Sequence, residues 1–266
     1  MAADLKPRTA GINGRLWGAR AREWADIQEG QCRPVYEAVF GRTSVTAGSI
    51  YLDVGCGAGM AAQIAAQRGA RVSGLDAAEN LLAIAHARVP AGNFRVGDLE
   101  DLPFPDDAFD VVTGFNSFQY AGNPGVALAQ AKRVTKPGGS VVVMTWGKPE
   151  GMEAASLVAV LRPLLPPPPA GAPGPFALSD EKALRAFAAG AGLEPVEVFD
   201  IDSPWCYPDL STGVRGLNSA GIAVRTMEHS GEEAVAKAHA EALAPFRQAE
   251  GSYRIGATFR CLLARA

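Results

Sequence analysis

Three glycines sit two residues apart in the run Asp53-Val54-Gly55-Cys56-Gly57-Ala58-Gly59. An apolar stretch from Ile50 precedes them, and a stretch of helical composition from Met60 follows. A strand, a glycine loop and a helix in that order let backbone N–H groups at the helix start approach a ligand with no side chain between. Asp76 closes the next apolar run, where an acid in a nucleotide-binding α/β sheet accepts hydrogen bonds from ribose hydroxyls. The dinucleotide fingerprint GxGxxG requires its third glycine where Met60 stands; here the glycine comes one position early. Asp53, two residues before the first glycine, would repel a pyrophosphate and attract an ammonium or sulfonium ion, directly or through water. The signs of these charges favour S-adenosylmethionine over NAD.

Gly97-Asp98-Leu99 follows the predicted strand Asn93–Val96, with Leu102-Pro-Phe-Pro-Asp-Asp-Ala-Phe-Asp110 behind it. There Asp98 offers an acceptor to an adenine amino group, and the Leu99 amide a donor to a ring nitrogen. Arg133-Val-Thr-Lys-Pro-Gly-Gly139, whose Lys136–Gly139 part reads as a turn, precedes a further apolar run. With these residues the sequence resembles the class I S-adenosylmethionine-dependent methyltransferases, in the ubiquinone/menaquinone-biosynthesis-like (methyltransferase type 11) branch. The resemblance is firm over residues 50–146 and looser in the leader and the C-terminal part.

The resemblance implies roles for individual residues. Gly55 and Gly57 would lie against the methionine part and ribose of the cofactor, Asp76 would hold the ribose diol, and Ala77 would pass beneath the adenine. Asp98 and Leu99 would read the adenine edge, and Asn116 would offer its backbone carbonyl to the amino group. Asp53 would contact the cofactor, or merely cap a local amide. Trp17, Arg20 and Trp24 share a helical face; they are either an amphipathic helix packed on the core or a lid in which Arg20 meets the cofactor carboxylate beside Trp24.

General bases are scarce, with only three histidines. His86 reads as a surface residue and His239 belongs to a C-terminal insert. His229, in the same insert, and Tyr120 are the candidates for catalysis. Trp17, Phe118, Trp146, Phe176, Trp205 and Tyr207 are candidate walls of an acceptor pocket, with core packing as the alternative. No cluster of metal ligands is visible. A methyl donor already activated by a positive sulfur can be served mainly by alignment and water exclusion, so few histidines are no objection. The expected activity is methyl transfer to a small, largely hydrophobic metabolite, with carbon, oxygen and nitrogen all open as acceptor. The alternatives are a non-catalytic protein that binds S-adenosylmethionine or S-adenosylhomocysteine, and an NAD(P) oxidoreductase.

The elements needed to hold these residues alternate strand and helix: strands at Ile50–Val54, Arg71–Leu75, Asn93–Val96, Phe109–Phe115 and Ser140–Trp146, with helices between. Such alternation implies parallel pairing through crossovers. Residues 1–48 read as a helical leader or lid and 49–150 as the cofactor-binding core. Residues 151–203 supply a helix over Met152–Leu165, a proline-rich loop that is either a rigid connector or a wall of the substrate mouth, a helix capped by Ser179 and a sixth strand. Residues 204–248 form a helical cap insert, and 249–266 a final strand. The expected fold is α/β, a Rossmann-like seven-stranded sheet with its last strand antiparallel. With 25 basic against 28 acidic residues the net charge is −3, which speaks against nucleic-acid partners. No apolar stretch approaches the roughly 20 residues of a membrane helix. The N-terminus lacks the apolar region of a secretory signal. Four scattered cysteines read as reduced thiols of a cytoplasmic protein.

Overall fold

The computed structural model describes residues 7–167 and 174–266. Pro168, Pro169 and Pro173 of the proline-rich segment, which the sequence reading offered as a wall of the substrate mouth, lie outside the described residues. The leader comprises α1 (Ala10–Gly18), α2 (Ala21–Glu23), a π-helical turn at Trp24–Gln28, a 3-10 turn at Glu29–Cys32, and α3 (Arg33–Arg42). The core runs β1 (Ile50–Val54), α4 (Met60–Gln67), β2 (Arg71–Asp76), α5 (Glu79–Arg88), β3 (Asn93–Val96), β4 (Phe109–Phe115), α6 (Pro124–Val134) and β5 (Thr135–Trp146). Then follow α7 (Ala154–Ala159), α8 (Glu181–Gly190), β6 (Glu194–Asp202), β7 (Trp205–Tyr207), α9 (Leu210–Asn218), α10 (Gly221–Ser230), α11 (Glu232–Leu243), β8 (Tyr253–Ile255) and β9 (Thr258–Arg265).

The seven-stranded sheet has the order β3-β2-β1-β4-β5-β9-β6, and β9 runs antiparallel to both its neighbours. The chain lays down β1, β2 and β3 outward, then returns past β1 to place β4 and β5 on its other side. The crevice at the carboxyl ends of β1 and β4 is therefore the topological switch point, where open α/β sheets take their ligands. Both faces of the sheet are covered, and the pleat of β1 sorts its residues between them. Leu52 and Val54 pack with Val112, Val141 and Leu128 on one face, while Tyr51 packs with Phe40, Ala62, Val72 and Val111 on the other.

Four details differ from the sequence reading. Lys136-Pro-Gly-Gly139, expected as a turn before the strand, is looped out within β5: Phe109 pairs with Thr135 and Val111 with Ser140, and Gly138 takes φ +75°. The helix expected over Met152–Leu165 ends at Ala159 and gives way to a 3-10 turn at Arg162–Leu164, since Pro163 has no N–H to continue an α-helix. The cap of α8 is Asp180, which accepts from the Ala183 N–H at 2.9 Å, not Ser179, whose hydroxyl is buried without a partner. The final strand is two strands: β8 pairs with β7 in a small ribbon, and only β9 joins the main sheet. The insert thus begins and ends in β structure, with α9, α10 and α11 between. Among the described residues no helix is long and apolar enough to cross a membrane.

A buried ion pair fastens the leader to the core. Glu29 is 3% exposed and pairs with Arg88 of α5. Its other oxygen accepts from the Met60 N–H at 3.1 Å, capping the start of α4. Arg88 also donates to the Ala58 and Ala25 carbonyls, each at 2.9 Å. Burial pushes the Glu29 carboxyl up, and Arg88 works against that rise. Removing one member strands the other charge in a dry site, at a cost of about 3–5 kcal/mol. Arg88→Met should lower stability to urea by that amount, and Arg88→Met with Glu29→Gln should lose less than the single variant. A single variant within about 0.5 kcal/mol of wild type, the range of a surface change, would contradict the role given to this pair.

Candidate functional site

At the switch point the strand ends and the leader enclose a cavity of about 850 Å³, counting its open mouth. Gly55, Gly57, Asp76, Ala77, Asp98, Leu99 and Asn116 all line it. These residues come from four strand ends that the fold brings side by side.

The glycine loop is held in a conformation closed to other residues. Gly55, Gly57 and Gly59 have φ of +77°, +54° and +81°, a region that side chains strongly disfavour. A Cβ at Gly55 would meet the Ser117 Cβ at 2.4 Å, and one at Gly59 the Ala85 Cβ at 2.8 Å. A Cβ at Gly57 would meet the Trp24 indole nitrogen at 3.6 Å and the Glu29 carboxylate at 3.8 Å, ordinary contact distances, so glycine is required there by its φ and not by crowding. Asp76 braces the loop: its carboxylate accepts from the Gly57 and Ala78 N–H groups, each at 2.8 Å. Burial pushes its carboxyl up while those backbone donors hold it down. A carboxylate has about four lone-pair sites, so acceptor capacity remains for a ligand diol. Asp98 is held by the Glu100 N–H at 2.9 Å.

The leader forms the opposite wall. Thr9 Oγ1 and Asn13 Nδ2 donate to the Tyr120 carbonyl at 2.6 and 2.8 Å. A Cβ at Gly14 would meet the Ala77 carbonyl oxygen at 2.3 Å, so α1 lies directly against the end of β2. Trp17 stands edge-on to Trp24 at 4.9 Å and to Tyr120 at 5.6 Å, and all three line the cavity. Burial pushes the Tyr120 hydroxyl up to about 12, which suits a donor and not a general base near neutral pH.

Several expected site residues lie elsewhere. Asp53 does not line the cavity. The pleat turns its side chain to the Tyr51 face, where it accepts from Thr113 Oγ1 at 2.9 Å. Arg20 does not share the inward face of Trp17 and Trp24: its backbone breaks the helix at φ −126°, ψ +41°, and its guanidinium pairs with Glu232 of the insert. His229 is exposed on α10 and away from the cavity. Phe118 is fully buried in the core beneath β4. Trp146 stacks on Phe259 at 5.0 Å and meets Trp205 and Phe176, while Trp205 and Tyr207 are buried in the same core under the β7–β8 ribbon. Tyr207 donates to Gln28 at 2.7 Å. These aromatics pack the insert onto the sheet and line none of the cavity. His239, placed by sequence in the insert, is buried against Asn218, and burial holds it down to about 4.

Sequence reasoning missed Cys32 and Tyr36 of the leader and Met144 of β5, all of which line the cavity. Tyr36 stands among Val35, Val39 and Phe40 and reads as one more core residue of an amphipathic helix. Met144 sits in the apolar run of β5, where its type marks core packing. Among the described residues no histidine, lysine or arginine lines the cavity, and no group of three potential ligands is placed to hold a metal.

Residues 52–143 match the family model described as a methyltransferase domain. The malonyl-[acyl-carrier protein] O-methyltransferase of Serratia marcescens is 37% identical over 113 residues, which is 42% of this chain and 44% of that protein. The demethylmenaquinone methyltransferase of Renibacterium salmoninarum is 36% identical over 149 residues, 56% of this chain and 58% of its own. The chain thus spans about half the length of the curated relatives it matches. Among solved structures, the geranyl diphosphate C-methyltransferase of Streptomyces coelicolor, in complex with S-adenosyl-L-homocysteine, superposes with a TM-score of 0.51. It covers 86% of this chain and 77% of that one at 16% identity, a likeness of fold.

Asp53 generates a pH prediction. Burial pushes its carboxyl up to about 7, with the Thr113 hydroxyl holding it down and Glu29 and Asp76 adding to the rise. A carboxyl raised on folding keeps a proton that the unfolded chain releases, so its contribution to stability is lost as pH rises from about 4 to about 7. Asp53→Asn should flatten that decline and make the protein more stable than wild type above the window, by a margin on the order of 2–4 kcal/mol. Equal pH dependence of denaturant unfolding in the two proteins would contradict the assignment.

Proposed function

We propose that this chain, whose residues 52–143 match the methyltransferase-domain model, is a class I S-adenosylmethionine-dependent methyltransferase of the ubiquinone/menaquinone-biosynthesis-like branch and methylates a small, largely hydrophobic metabolite. The observation that carries the reading is the convergence of the glycine loop, Asp76 and Asp98 on one cavity with apolar walls. The cradle fits the cofactor: all three loop glycines take a positive φ that only glycine adopts without strain, and Gly55 and Gly57 line the cavity.

In this reading Gly55 and Gly57 carry the methionine part and ribose, and Asp76 holds the ribose diol with its remaining acceptor sites. Ala77 lies beneath the adenine, Asp98 and Leu99 read its edge, and the Asn116 carbonyl takes the amino group. Trp24 walls the methionine end, where Arg20 is turned away. S-adenosylmethionine, when bound, supplies a methyl group on a positive sulfur that leaves as a neutral thioether. The protein's own contribution is to align the acceptor and exclude water, which together supply several kcal/mol. Trp17, Tyr36, Phe115, Met144 and Tyr120 give the acceptor an aromatic and apolar enclosure, the lining expected for an uncharged or weakly polar body. The named acceptors of the two relatives, malonyl-[acyl-carrier protein] and demethylmenaquinone, differ from one another, so the acceptor is argued from these walls. All four cysteines are free, which suits a cytoplasmic, reducing compartment.

Calorimetric titration tests the cofactor. Wild type should bind S-adenosylmethionine and S-adenosylhomocysteine and not NADH. Asp76→Ala should weaken binding by about 1.5–3 kcal/mol, the weight of lost hydrogen bonds to a charged group. Preference for NADH, or unchanged affinity in folded Asp76→Ala, would sink the assignment. Gly57→Val, which forces φ +54° on a branched residue and fills the cradle, should abolish binding while a folded sheet remains visible by circular dichroism; normal binding would show that the loop is not the cradle.

A further inference from the structure

The cavity has more wall than the cofactor reading uses. On its side toward β4 and β5 it is lined by Cys32, Tyr36, Phe115 and Met144, with Asn116 at the junction to the glycine loop. The Tyr36 ring stands edge-on to Phe115 at 4.6 Å, and Asn116 is the next residue. Asn116 has φ +55°, a left-handed backbone held by its N–H donating to the Met144 carbonyl at 3.2 Å. Non-glycine residues in that conformation are strained and concentrate at functional sites. Its side-chain oxygen accepts from Gln119 Nε2, which leaves the amide nitrogen to serve the cavity as a donor. Burial keeps the Tyr36 hydroxyl protonated, well above its ordinary range, so it too is a donor. The Cys32 thiol beside it is pushed up to about 12. The carboxylates that line the cavity, Asp76 and Asp98, belong to its ribose and adenine side. Glu29 and Asp53 face Tyr36 from the leader and from β1. This corner therefore offers two donors, and the carboxyl groups that face Tyr36 are engaged outside the cavity, Glu29 by Arg88 and Asp53 by Thr113.

We propose that Tyr36 and Asn116 form a donor pair that holds an oxyanion of the methyl acceptor. The acceptor is then an apolar body bearing a carboxylate, or a phenol acidic enough to be ionised at neutral pH. The proposal rests on the S-adenosylmethionine reading above. The step balances without a base: the acceptor oxygen forms the new bond to the methyl carbon, and the sulfur keeps the electron pair of the bond that breaks. The negative and positive charges cancel, and no proton moves. Tyr36 and Asn116 are positioning residues in this scheme, since two hydrogen bonds to one oxyanion fix its direction as well as its place.

The test is calorimetry on the full chain saturated with S-adenosylhomocysteine, using 2-naphthoate and octanoate, each against its own amide, and 4-nitrophenolate against 4-nitroanisole. At least one anion should bind roughly tenfold tighter than its neutral partner, the weight of a charge-assisted hydrogen bond. Tyr36→Phe, which keeps the ring packing on Phe115, and Asn116→Ala should each remove most of that preference while the neutral partner still binds. With labelled cofactor, a carboxylate acceptor yields a base-labile ester and a phenol a base-stable ether, which separates the two sources. Wild type that binds S-adenosylhomocysteine but shows no preference for any anion overturns this proposal and leaves the cofactor reading standing. A preference unchanged in both variants does the same. Wild type that binds no S-adenosylhomocysteine overturns both.

Discussion

The arrangement of this molecule depends on one topological constraint, the return of the chain past β1 after β3. Crossovers on the two sides of that point leave in opposite directions, so the carboxyl ends of β1 and β4 stand open with nothing of the sheet above them. Backbone groups there would otherwise be left unsatisfied. The glycine loop, the Asp76 carboxylate and the left-handed Asn116 are what the chain places at that gap. Asp76 accepts from the loop's own N–H groups, so the shape of the cradle is fixed by the second strand and not by the loop alone.

The leader completes the site by covering it, and it does so with a buried ion pair set beside an apolar seam. Glu29 reaches both Arg88 and the first turn of α4, so the same residue that anchors the leader also steadies the helix behind the glycine loop. Charge pairs of this kind contribute little net stability compared with well-packed apolar groups, but breaking one is costly. The exposed pairs of Arg15 with Glu228 and Arg20 with Glu232 tie the leader to the insert more loosely. The aromatic residues are divided accordingly. Trp17, Trp24 and Tyr120 face the cavity, while Trp146, Trp205, Tyr207 and Phe259 fill the core beneath the insert.

Much of the frame was legible in the sequence because its signals are local. Buried parallel strands read as unbroken apolar runs, and the glycine spacing and Asp76 mark a cradle whatever surrounds them. Strands β1 and β4 fall where the apolar runs place them, and β3 falls at Asn93–Val96 as expected although only Phe94 of it is buried. The failures come from geometry that only the assembled fold supplies. Trp17, Arg20 and Trp24 read as one helix face, but the chain breaks at Arg20 between α1 and α2, and the Arg20 guanidinium goes to Glu232 of the insert. Asp53 is one step of the pleat away from pointing at the ligand. The aromatics of the insert looked like pocket walls because a sequence does not say that β7 and β8 pair with each other and close over Trp146. Tyr36 carried no signal at all: an aromatic residue at helical spacing within a core stripe is indistinguishable from packing until the strand ends are set beside it.

The central claim is that the strand-end cavity holds S-adenosylmethionine with its ribose on Asp76. A crystal structure grown with S-adenosylhomocysteine tests it most directly. The account predicts the ribose hydroxyls within hydrogen-bond distance of the Asp76 carboxylate and the adenine between Ala77 and Leu99, with its amino group at Asp98. S-adenosylhomocysteine bound anywhere else, or the cavity filled by a leader side chain in the complex, would contradict it.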